Sequence, residues 1–225
     1  TYVPQVGFAG TDTVTVAVAD GLAEAIATLS FTVQPAPTLA APWVATGVGV
    51  LGQSPVATGD GSTFQVAGDG ADIWGKADAF AFVHLPITGD VDLSARVVSF
   101  TAGQSWAKAG VMLRDGTGAG ARHASVFLTK ANGIAFQRRV QANGSSTHQA
   151  GSVSARAPYW VKLERRGSTC TARQSADGLA WSRVGSATIA LPAAVRAGLA
   201  VTSHQHGVSA QARFEQVAVA PIAAQ

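Results

Sequence analysis

Apolar and polar residues alternate with a period of two along most of this 225-residue chain, and no window sustains a 3.6-residue period. From Trp43 onward, eleven short apolar stretches recur between turn signals: Phe64 to Val66, Ala79 to Val83, Val91 to Phe100, Ala109 to Leu113, Ala124 to Thr129, Ile134 to Val140, Tyr159 to Arg165, Thr169 to Ser175, Ser182 to Val184, Val195 to Ser203 and Ala210 to Ala218. Asn132-Gly133, Asn143-Gly144 and Asp177-Gly178 supply residues that accept a positive φ, as tight hairpin turns require. So many short strands in about 180 residues predict an all-β fold, a two-sheet antiparallel jelly-roll sandwich.

The first 34 residues follow the same alternation but stand apart. Thr13 to Val18 and Ala27 to Val33 flank Asp20-Gly21 and predict a hairpin. The stretch from Gln34 to Pro42 then carries three prolines in nine residues and predicts a linker, because proline fixes φ and denies the ladder its N–H. The expected organisation is a hairpin segment over 1–34, a linker over 35–42, a sandwich over 43–220 and a tail over 221–225. The run from Tyr2 to Asp12, followed by the hairpin, resembles the closing half of the bacterial immunoglobulin-like or cadherin-like modules of secreted proteins. The strands that should come first are missing. The chain therefore reads as a fragment or a processed product, and the hairpin is expected to cover itself on the next domain or to be completed by another chain.

The larger region carries its own resemblance. The ordered landmarks are Asp72-Ile-Trp-Gly-Lys-Ala-Asp-Ala-Phe-Ala-Phe82, Thr88-Gly-Asp90, Trp106-Ala-Lys-Ala-Gly-Val-Met-Leu-Arg114, Arg122-His-Ala-Ser125, Gly133-Ile-Ala-Phe-Gln-Arg-Arg139, Pro158-Tyr-Trp160, Ser175-Ala-Asp-Gly-Leu-Ala-Trp181 and Gly198-Leu-Ala-Val201. Together they resemble a concanavalin A-like, laminin-G-like domain of the bacterial branch found on secreted enzymes and surface proteins. The likeness spans residues 43 to 220 and implies the fold. It does not fix a ligand, since that superfamily holds sugar-binding modules, adhesion domains, glycosidases and spacers.

Composition narrows the chemistry. With 47% hydrophobic and 13% charged residues the chain can bury a large core, and no apolar run is long enough for a membrane helix. Cys170 is alone, which excludes an intramolecular disulfide and a zinc site built on several cysteines; it reads as a small buried hydrophobe. Residues 1–75 hold six acids and no base, for a net of −6; residues 76–225 hold sixteen bases and seven acids, for a net of +9, giving the overall +3. That division favours an anionic partner for the basic part, or contact between unlike parts of two molecules.

Catalysis finds little support. A glycosidase needs two carboxylates facing each other across a cleft, and the three glutamates, Glu24, Glu164 and Glu215, form no cluster in sequence. Asp90 and Asp92 share a strand face, but behind a Thr-Gly turn they suit a turn or a cation better than acid/base work. No nucleophile elbow occurs, and Gly116 to Gly120 lacks the Lys-Ser/Thr of a phosphate loop. His204 and His206, two apart, could share a strand face and ligate a metal if a third group such as His123, His148 or Asp72 joined them. Calcium is what the resemblance implies more readily, with Asp72, Asp90 and Asp92 as the candidate loop acids, beside Asp60 and Asp69.

The aromatics carry the functional reading. Trp160 and Trp181 are expected in the core, whereas Trp74 and Trp106 lie beside charged neighbours and suit stacking on a sugar's apolar face. Alternation directs Gln137 and Arg139 away from the core if Phe136 is inside, with Lys108 nearby and Arg114 on the face of Met112. Their forked donors could hold carboxylates, sulfates or vicinal hydroxyls, although Arg114 is equally suited to pairing internally with an acid such as Asp78. The candidate ligand contacts are Trp74, Trp106, Lys108, Arg114, Gln137, Arg139, His204 and His206. The resulting expectation is a non-catalytic, lectin-like module of a secreted or cell-surface protein that binds polysaccharide, an acidic one in particular. The alternative is a structural or adhesive surface subunit that forms a homo-oligomer or filament through the hairpin. Nucleic acid is disfavoured, because the arginines are scattered over strands.

Overall fold

A computed structural model describes residues 10–33 and 38–222 and contains strands and turns only among them. The chain divides into two compact units, one ending at Thr38 and one starting at Leu39. The leading part of the immunoglobulin-like resemblance (residues 2–9), the proline-rich stretch at 34–37 and the last three residues lie outside the described residues.

In the first unit β1 (Gly10–Ala19) and β2 (Glu24–Val33) pair antiparallel without a bulge. The turn is held by Asp20, whose carboxylate accepts the N–H groups of Leu22 and Ala23 at 2.9 Å, while Gly21 supplies φ +89°. Register puts Val14 opposite Leu29 and Val16 opposite Ala27, so the ribbon has one apolar face and one threonine-rich face.

The second unit contains β3 (Val44–Val48), β4 (Val56–Gly59), β5 (Phe64–Gly70), β6 (Phe80–Thr88), β7 (Asp90–Thr101), β8 (Lys108–Arg114), β9 (His123–Thr129), β10 (Ile134–Arg139), β11 (Thr147–Ala150), β12 (Tyr159–Arg166), β13 (Thr169–Ser175), β14 (Ser182–Thr188), β15 (Ala194–Thr202) and β16 (Gln205–Ile222). They form two seven-stranded antiparallel sheets, ordered β11-β10-β9-β8-β15-β6-β3 and β14-β13-β12-β7-β16-β5-β4. The all-β sandwich expected from alternation is what forms. Beyond the eleven expected strands there are three short ones, β3, β4 and β11, rich in Thr and Gly or in polar residues. Leu39 bridges to Gly59, so the linker's last residues belong to the sandwich, and β16 runs on to Ile222 inside the expected tail.

The main core lies between the sheets. Alternate residues such as Ala109, Val111 and Leu113 of β8, Phe136 of β10 and Val161 and Leu163 of β12 face into it, as do Trp43 and Cys170. Trp160 and Trp181 are outside this core, contrary to expectation. They are half-buried, with ring centroids 6.2 Å apart, and the Trp181 Nε1 donates to the Gly178 carbonyl at 3.0 Å. Trp160 fails to reach the core because its neighbour Val161 takes the inward position of β12.

A second, smaller apolar cluster of Val48, Ile73, Phe80, Phe82, Met112, Phe127 and Ala200 lies on the other face of the β8-containing sheet. Its roof is the segment from Asp72 to Asp78, which leaves β5, crosses that face and returns as β6. The segment is anchored by bonds from Asp78 N to the Ala119 carbonyl (3.0 Å), from Ser146 N to Gly75 (2.8 Å) and from Ala79 N to Asp72 (2.7 Å). The outer face of this sheet is thus itself an interior, and every residue of β8 and β9 is buried.

Candidate functional site

Register creates a row of charge beneath that roof. Arg139 of β10 lies opposite His123 of β9, which lies opposite Arg114 of β8. Asp78 comes down from the roof between the two arginines, accepting from Arg139 Nη1 and Nη2 and from Arg114 Nη1, each at 2.6 Å. All three side chains are sealed from solvent. Burial pushes the Asp78 carboxyl up, but the Arg139 hydrogen bonds and the fields of His123, Arg114 and Arg139 outweigh it and hold the group below the usual carboxylate range. Other arginine donors bind carbonyls: Arg114 Nη2 those of Gly118 and Ala119, Arg139 those of Trp74, Gly75, Ala119, Ala121 and Gly144, while the buried Nε of Arg114 has no partner within the protein. Arg114 and Arg139 are therefore not ligand contacts. They face away from the main core as alternation indicated, and the roof consumes them.

Next to this lock the same face opens into a cavity of about 340 Å³, lined by Asp72, Trp74, Trp106, Lys108, Gln137, His148 and His204. Five of the eight expected contacts meet here: Trp74, Trp106, Lys108, Gln137 and His204. Trp74 comes from the roof and Trp106 from the turn before β8. Their indoles are partly exposed, and Trp106 meets His148 edge-on at 5.7 Å. His148, missed as a contact, enters because β11 pairs with β10 and sets it opposite Gln137.

Two polar features define the cavity's chemistry. Lys108, only 1% exposed, pairs with Asp72, and the other Asp72 oxygen lies 3.3 Å from His204 Nδ1. Burial lowers the Lys108 amine below its ordinary value, against the opposing pull of Asp72. Gln137 is 3% exposed, and its Oε1 has no hydrogen-bond partner within the protein. The His148 ring is shifted down by burial, with Arg138 and Lys108 adding to the effect, and is neutral near pH 7.

His206 does not line the cavity. His204 sits in the β15–β16 turn at φ +58°, so strand alternation does not carry from it to His206, which stands exposed on β16. The candidate calcium ligands are also separated. Asp72 is at one end of the sandwich, committed to Lys108. Asp90 and Asp92 begin β7 at the other end, where Asp90 accepts from Gly167 N at 2.7 Å and Asp92 pairs with Arg166 at 2.7 Å. Among the described residues no group of three His, Cys, Asp or Glu comes close enough to hold a metal, and these three acids do not fit a calcium site. Asp69, fully buried, spends one oxygen on the N–H groups of Gly52, Gln53 and Gly207. The Cys170 thiol is pushed up to about 11 by burial, the behaviour of an inert core cysteine.

No family model and no curated protein sequence matches the chain. Solved structures do. A functionally unknown protein from Saccharomyces cerevisiae superposes with a TM-score of 0.61 at 16% identity, over 80% of this chain and 97% of that one. The carbohydrate binding module CBM66 from Bacillus subtilis superposes with a TM-score of 0.50 at 17% identity, over 80% of this chain and 95% of that one. The GH43 protein BlXynB from Bacillus licheniformis gives 0.51 at 13% identity, over 70% of this chain and 32% of that one, so this chain matches about a third of that enzyme. At these identities the likeness establishes the architecture, a β-sandwich of the jelly-roll kind shared by binding modules and by a domain-sized part of a GH43 protein.

Proposed function

We propose that the sandwich is a non-catalytic carbohydrate-binding module acting outside the cell, and that its site is the cavity between Trp74, Trp106 and Gln137. The observation that carries this reading is the meeting of two partly exposed indoles with a buried, unpartnered amide oxygen in one small cavity. Indoles offer an apolar face to a sugar ring, while Gln137, Asp72 and His204 offer its hydroxyls fixed partners. A volume of about 340 Å³ is near the lower end of ligand pockets and suits sugar units rather than a peptide helix. The architecture shared with a carbohydrate binding module supports the reading. The test is affinity electrophoresis and calorimetry of the full chain against a polysaccharide panel. Binding should weaken by about tenfold or more in Trp106→Ala and in Gln137→Ala. Affinity that survives both substitutions would place the ligand elsewhere.

A second reading, a surface subunit that associates through its hairpin, is favoured by the exposure of Val14, Val16, Val18 and Leu29, which share one face of the β1–β2 ribbon. Sedimentation of the full chain beside Val16→Asp tests it. A monomer in both cases, at every concentration, removes it.

A further inference from the structure

The cavity has a charge and hydrogen-bond inventory that selects among sugars. Its one lysine is neutralised in place: Lys108 and Asp72 form a contact ion pair, so the two sum to zero and the ammonium is already engaged. The two arginines that would have made the site cationic are locked on Asp78 beneath the roof. The rest of the lining is uncharged or paired: the indoles of Trp74 and Trp106, the imidazole of His148, the amide of Gln137, which carries two N–H donors as well as its oxygen, and the Asp72 carboxylate, whose other oxygen faces His204. A sugar hydroxyl both donates and accepts and can pair with any of these groups, whereas a uronate carboxylate or a sulfate ester only accepts and brings a charge. Set in this cavity, such a group would give up its water with Lys108 already paired, and would stand against the carboxylate of Asp72.

We infer that this cavity takes an uncharged, hydroxyl-rich sugar and discriminates against uronic and sulfated units, with the Lys108–Asp72 pair setting the choice. The inference rests on the carbohydrate-binding reading and reverses the preference for acidic polysaccharide that the basic sequence suggested.

The experiment uses polymers matched except for charge: methyl-esterified and saponified homogalacturonan, hydroxyethyl- and carboxymethyl-cellulose, and dextran and dextran sulfate, titrated into the full chain at pH 7. The neutral member of any bound pair should bind about tenfold or more tighter than its charged counterpart. Its affinity should change by less than about twofold between 50 and 500 mM salt, because no net charge is screened. Asp72→Asn removes the carboxylate and frees the ammonium. In that variant, with melting curves establishing that it folds, the gap between neutral and acidic members should narrow. An acidic polymer that binds as tightly as its neutral counterpart, with affinity lost in Gln137→Ala, overturns the inference and leaves the carbohydrate site standing. An unchanged gap in folded Asp72→Asn overturns the role of the ion pair. Failure to bind any neutral or acidic polysaccharide overturns the inference together with the reading beneath it. If Asp72→Asn does not fold, the matched pairs and the salt series on the native chain still decide.

Discussion

Replacing Asp78 by asparagine keeps the side chain's shape, removes its charge and leaves two guanidinium groups buried with nothing to balance them. The native carboxylate accepts three charge-assisted bonds at 2.6 Å in a site closed to solvent. Breaking a buried ion pair by removing one partner costs about 3–5 kcal/mol, and a domain of this size loses roughly 2–4 °C of Tm per kcal/mol. The melting temperature of Asp78→Asn should therefore fall by about 6–20 °C. The control is Asp92→Asn, whose pair with Arg166 has side chains 31% and 47% exposed. Such a pair contributes about 0–1 kcal/mol, so its Tm should move by no more than about 4 °C. Calorimetry or circular dichroism melts of the full chain give both values. Replacing the triad wholesale by apolar residues should not restore stability, since the arginines also satisfy the carbonyls of Trp74, Gly75, Gly118, Ala121 and Gly144. An Asp78→Asn protein that melts within the range of the Asp92 control would refute the idea that this triad locks the roof onto the sheet.

Two further outcomes follow from buried groups near the same sheet. Burial lowers the imidazole of His123 to about 3, so the native state excludes a proton that the unfolded chain takes up below about 6.5. Stability is complete above that value and is lost as pH falls from 6.5 toward 3, by about 1.4 kcal/mol per pH unit; urea midpoints from pH 7 to 4.5 should decline less steeply in His123→Gln, and parallel slopes would dismiss the assignment. Gly110, inside the Trp106 to Arg114 landmark, has room for no side chain, because a Cβ there would stand 2.1 Å from the Val126 carbonyl oxygen of the paired strand. Gly110→Ala should cost about 3 kcal/mol, the upper end of overpacking penalties, measured by chemical denaturation.

Alternation along a strand is a local property, and it indicated correctly which residues point away from the main core: Gln137 and Arg139 opposite to Phe136, and Arg114 with Met112. Whether a face pointing away from one core meets solvent is not local. It depends on where the segment from Asp72 to Asp78 comes to rest, many strands away in sequence, and that segment turned a presumed binding surface into a second interior. A signal was present. Met112 on the outward face of β8, and Ile73 between Asp72 and Trp74, are apolar residues an exposed sheet would not need, and both belong to the second cluster. His148 enters the sequence reading only as a possible metal ligand because β11, Thr-His-Gln-Ala and exposed throughout, carries no alternation that would announce its pairing with β10. The acids Asp90 and Asp92 share a strand face but are answered by the β12–β13 turn, a partnership no spacing rule reveals.

The same locality explains why net charge is a poor guide to the cavity. The +9 carried by residues 76–225 suggested a surface open to anions, yet among the described residues eight of the sixteen bases, Arg96, Lys108, Arg114, Arg122, Arg139, Arg166, Arg173 and Arg213, stand within ion-pair distance of an acid. Asp72 and Asp78 are decisive here. One lies in the acidic first third and the other just beyond it, and the roof that carries both brings them onto the most buried cations of the sheet. A formal charge counts side chains, whereas recognition depends on which of them remain uncommitted when the chain has folded. At the cavity Lys108 and Asp72 sum to zero, so the proposed preference for a hydroxyl-bearing ligand follows from how the charges pair on folding and not from how many there are.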